Sequence, residues 1–97
     1  MFTNKAIDGR NNICGKQIAK HRIQMSKSQR QLADMLQLAG LDVDKNAIQR
    51  IEAGKRFVTD IELVYFAKVL HLDVQDLLTN ERHKRVSFQI SFFLYAH

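Results

Sequence analysis

Nothing in this chain of 97 residues forbids a helix outright, because proline is absent, and only four glycines weaken one. Helix ends must then fall at glycines or polar caps, with apolar residues three and four apart between them. That reading gives five short helices. The first is expected to start after Asn11 or Asn12, to carry Ile18, Arg22 and Met25 on one face, and to break at Ser26-Lys27-Ser28. Ser28 with Gln31 makes a capping box. The second helix carries Leu32, Ala33, Leu36 and Ala39, and Gly40 suits a left-handed cap at its C-terminus. After a turn at Leu41-Asp42-Val43, Asp44 caps a third helix from Lys45 to Ala53, with Ile48 and Ile51 inward and Gly54 at its end. Lys55 to Val58 is a loop. Thr59 caps a fourth helix with Leu63, Phe66, Ala67 and Leu70 inward, and Asp73 caps a short fifth with Leu77 and Leu78.

From Glu81 the pattern changes. Arg82-His83-Lys84-Arg85 is a basic run, and Val86, Phe88, Ile90 and Phe92 then alternate as in a strand. The organisation read from these features is an N-terminal basic arm over 1–12, a helical domain over 13–80 and an apolar, strand-like tail over 81–97. An exposed segment as apolar as Val86 to His97 must be covered, either by folding back onto its own domain or by a second copy, and the tail is read as a candidate dimerisation segment.

Composition narrows the function. Formal net charge is +5, and from Met1 to Arg30 seven Lys or Arg stand against one Asp, which fits a polyanionic partner. No apolar run is long enough to span a membrane and Met1 to Arg10 lacks the core of a secretory signal. A cytoplasmic protein is therefore expected. Cys14 is the sole cysteine and reads as a small buried hydrophobe in a reducing compartment. His21, His71, His83 and His97 are scattered, so neither a metal nor another cofactor is expected. No phosphate loop, nucleophile motif or carboxylate pair is visible, and the expectation is that the protein is not an enzyme.

Four stretches in order carry a resemblance: Gly15-x-x-Ile18-x-x-x-Arg22, Ser28-Gln29-x-x-Leu32-Ala33, Ile48 through Arg56, and Leu63-x-x-Phe66-Ala67-x-x-Leu70-x-Leu72-x-Val74-x-x-Leu77-Leu78. Together they resemble the Cro/repressor-type (XRE-like) helix-turn-helix family over about Cys14 to Leu78. The resemblance implies an all-α, five-helix, lambda-repressor-like domain from a bacterium or phage. It implies a double-stranded DNA-binding transcriptional regulator, a repressor, acting as a homodimer on a palindromic operator. The sequence departs from the family pattern by about five extra residues between Ala33 and Ile48, and at His21, Lys27, Val58 and His71.

A major groove admits one α-helix, and residues near that helix's N-terminus reach base edges. The family's base-reading positions map onto Lys45, Asn46 and Arg50. Lys and Arg suit guanine O6 and N7, and Asn suits adenine N6 and N7. Gln49 is placed on the DNA backbone. Gln29 at the start of the second helix is the family's phosphate holder, where free amides favour an anion in any case. Lys27, Arg30, Lys55 and Arg56 are read as partners of flanking phosphates. Arg22 and Glu52 are read, by resemblance, as an internal ion pair tying the first helix to the third. The alternative function is an antitoxin that binds a toxin protein, with the tail as its binding piece, and represses its own operon.

Overall fold

The computed structural model describes residues 5–79, so the basic run at 82–85 and the tail from Val86 to His97 lie outside the described residues. Within them the chain is all-α, with five helices and no strand: α1 (Gly15–Gln24), α2 (Gln29–Ala39), α3 (Lys45–Glu52), α4 (Asp60–Val69) and α5 (Val74–Leu78).

The caps explain where most of these elements start. Ser28 Oγ accepts from Gln31 N at 3.0 Å while Gln31 Oε1 accepts from Ser28 N at 2.8 Å, closing the capping box of α2. Thr59 and Glu62 repeat it for α4, at 3.2 and 2.9 Å. Asp44 accepts from Ala47 N at 2.8 Å and opens α3. At α1 the observed start differs from expectation. Asn12 does accept from an amide three residues on, Gly15 N at 2.8 Å, but Ile13 and Cys14 stay outside the helix. Ala53 is the C-cap of α3 rather than its last helical residue.

Four helices end in one geometry. At the ends of α1 through α4 the amide just after the left-handed residue donates to the carbonyl five residues back: Lys27 to Arg22, Leu41 to Leu36, Lys55 to Arg50 and Leu72 to Ala67, at 2.8–3.1 Å. This is the Schellman closure, which needs one residue in the left-handed region. Gly40 (φ 110°) and Gly54 (φ 77°) supply it for α2 and α3. Ser26 (φ 58°) and His71 (φ 59°) supply it for α1 and α4, at a steric cost glycine does not carry.

Each helix sends at least one side chain into a common core, where Ile18, Leu32, Leu36, Ile48, Ile51, Phe66 and Leu77 are fully buried. α2 lies against α3 and α4, while α1 bridges α3 and α5. Where α1 starts, a Cβ on Gly15 would collide with the Ile51 carbonyl oxygen, so that glycine sets the closeness of α1 and α3. In α5 only Leu77 is buried, and Leu78, expected to share its role, faces solvent. The helix is five residues long and turns about 100° per residue, so Leu77 points into the core, Val74 packs half-buried against it, and Leu78 falls on the outer side. Cys14 is buried, and burial pushes its thiol up to about 11.

Candidate functional site

In α3, Ala47, Ile48 and Ile51 face the core. At about 100° per residue these occupy one side, and Lys45, Asn46, Gln49 and Arg50 spread over an arc of about 140° on the other. All four are exposed, and their side chains enter no hydrogen bond or ion pair among the described residues. α3 thus presents two cations, two amides and no carboxylate on its outer arc. Each can donate hydrogen bonds, and the amides can also accept.

The back of α3 is fixed by a polar junction of three helices. Glu52 accepts from Arg22 Nε at 2.7 Å and Nη2 at 3.0 Å, and from Gln29 Nε2 at 3.0 Å. Arg22 Nη1 also donates to Lys27 O at 2.8 Å. The side chains of Arg22 and Glu52 are only 13% and 8% exposed. The bond from Glu52 raises the Arg22 pKa further above its ordinary value. One carboxylate therefore ties α1, the first residue of α2 and the end of α3 together. It also occupies the Gln29 amide group, so any anion at the start of α2 meets a side chain already oriented.

A second fixture was not foreseen. Arg10, Asn11 and Asn12, at the end of the segment read as an arm, clamp the far end of α3. Arg10 Nη2 donates to Glu52 O at 2.7 Å and Asn11 Nδ2 to Lys55 O at 3.0 Å. Asn12 Nδ2 donates to Ile51 O at 3.0 Å and Arg56 O at 2.7 Å. Glu52 O and Ile51 O belong to the last turn of α3, Lys55 O and Arg56 O to the loop after it, and the Arg10 charge suits the negative end of the dipole. The sequence signal for this was slight, since the contacts span about forty residues and Asn11 and Asn12 read equally well as local caps.

The remaining phosphate candidates divide. Arg30 and Lys55 are exposed, and Lys27 and Gln29 are half-buried beside the start of α2. Arg56 is held internally: Nη1 and Nη2 meet the two oxygens of Glu62 at 3.1 and 2.8 Å, and Nη1 also donates to Phe57 O. The pairing holds the Glu62 carboxyl below its ordinary pKa and raises that of Arg56. Its role is to join the loop after α3 to α4, and its charge is already compensated.

Among the described residues no group of three His, Cys, Asp or Glu is placed to hold a metal ion, and no helix is long and apolar enough to cross a membrane. Comparison with family models, curated proteins and solved structures gives no match to this chain.

Proposed function

We propose that this protein is a sequence-specific double-stranded DNA-binding regulator, a repressor, in which α2 and α3 act as a helix-turn-helix pair. The observation that carries the reading is the outer arc of α3, where Lys45, Asn46, Gln49 and Arg50 stand exposed, and unengaged among the described residues, on a helix whose other side is buried. In this reading Lys45, Asn46 and Arg50 meet base edges, while Gln49, Gln29, Lys27, Arg30 and Lys55 meet the backbone. The connection between α2 and α3, residues 40–44, is longer than the usual turn of three or four residues. It is braced, because Gln37 Nε2 donates to Val43 O at 2.8 Å and Val43 is buried.

The test is selection of bound sequences from a random duplex library, followed by single substitutions on the selected site. Lys45→Ala, Asn46→Ala and Arg50→Ala should each cost about 1–3 kcal/mol there and relax preference at a definable base pair. Arg30→Ala and Lys55→Ala should weaken every duplex alike and flatten the salt dependence. A library that yields no enriched sequence, or a uniform loss from all five substitutions, would overturn the assignment of base readers.

A further inference from the structure

The outer face of α4 has no partner within the described residues, although it is apolar. The inner side of α4 buries Leu63, Phe66, Ala67, Val69 and Leu70. Its outer side carries Ile61 and Val64, continued past the N-cap by Phe57, with relative exposures of 66%, 55% and 56%. A helix apolar on both sides is normally covered on both. The charges on this outer face are arranged symmetrically. Asp60 lies four residues before Val64 and Lys68 four residues after it, both exposed. At 1.5 Å per residue each is about 6 Å along the axis from Val64, on the same side of the helix.

We infer that the outer face of α4 is the seat of a second copy of this chain, packed antiparallel with the Val64 side chains on the two-fold axis. An isologous contact requires a surface complementary to itself under that rotation. Here the rotation brings Asp60 of each copy opposite Lys68 of the other, twice, and lays Ile61 beside the partner's apolar stripe. A parallel arrangement would set Asp60 against Asp60 and Lys68 against Lys68. The charges thus specify orientation, while the apolar stripe supplies the attraction. Asp60 already accepts from Ile61 N at 2.8 Å on one oxygen, which leaves the second free to meet an ammonium. One helix face falls short of the roughly 800 Å² per partner that a stable interface buries, so the dimer is concentration-dependent.

The test uses the full chain in sedimentation equilibrium, with circular dichroism to confirm that each variant is folded. Asp60→Lys and Lys68→Asp should each weaken self-association roughly tenfold or more, because each puts like charges opposite one another twice. Mixing these two variants should restore the wild-type affinity as a heterodimer, since both cross pairs then become opposite in sign. Val64→Lys should abolish association. A wild-type chain that stays monomeric at the highest soluble concentration would overturn the inference. So would single charge variants that associate like the wild type, or a mixture that forms no heterodimer.

Discussion

The shared closure at four helix ends predicts the sign of four substitutions. Ser26 and His71 hold φ near 60°, where a non-glycine residue costs about 1–2 kcal/mol. Glycine removes that cost but adds about 0.5–1 kcal/mol of unfolded-chain entropy. The net gain expected from Ser26→Gly or His71→Gly is therefore about 0.5–1 kcal/mol. For a domain of this size 1 kcal/mol moves Tm by about 4–8 °C, so each variant should melt roughly 2–8 °C higher. Gly40→Ala runs the same step backwards. A Cβ there meets only the Tyr65 ring and hydroxyl at 3.6–3.7 Å, an ordinary contact, so the loss should be the backbone term alone. Gly54→Ala should cost more, because its Cβ would come within 2.7–2.8 Å of the Arg10 side chain that clamps α3. The assay is thermal unfolding by circular dichroism, with urea titration to check that m is unchanged. Glycine variants at 26 and 71 that melt lower than wild type, or a neutral Gly40→Ala, would refute the reasoning.

Other outcomes follow from the site. Glu52→Ala strands Arg22 in a poorly hydrated place and should cost about 3–5 kcal/mol, read as a Tm drop of more than about 12 °C; an unchanged Tm would show that the junction holds nothing. Cys14, buried and with its thiol pushed up to about 11, should resist thiol reagents at neutral pH in the native protein and react at once in denaturant. Because the Glu62 carboxyl sits below its ordinary value, its pair with Arg56 contributes stability above pH 4.5 that is lost as pH falls through the native value. Glu62→Gln keeps the cap acceptor but not the charge, so its deficit relative to wild type should shrink in acid; a pH-independent deficit would contradict the pairing.

What the sequence disclosed is what local chemistry decides. The boxes Ser28-x-x-Gln31 and Thr59-x-x-Glu62 and the Asp44 cap were legible because donor and acceptor lie three residues apart, and the core positions of α2 to α4 because a helix repeats every 3.6 residues. α1 was misplaced at its start, since a cap fixes an amide and not the conformation of Ile13 and Cys14 between them. The clamp from Arg10 to Asn12 was illegible, as nothing local says that these side chains meet carbonyls at 51–56. Arg56 looked like any loop cation until its partner six residues on, across the start of α4, was in view. The outer arc of α3 could be listed from the spacing, but the Glu52 junction behind it was reached only through the family resemblance. The dimerisation role given to the tail, Val86 to His97, lies outside the described residues.

The division of labour around α3 has a consequence for how such a chain can change over generations. Ile48, Ile51 and Glu52 hold the helix in place, and Lys45, Asn46, Gln49 and Arg50 hold nothing within the described domain. Substitutions on the outer arc should leave folding close to neutral, typically within about 0.5 kcal/mol. Drift there is then filtered only by what the arc touches. Two descendants could diverge completely in preference while sharing every residue that makes them fold, and a new preference would not have to wait for a compensating change in the core.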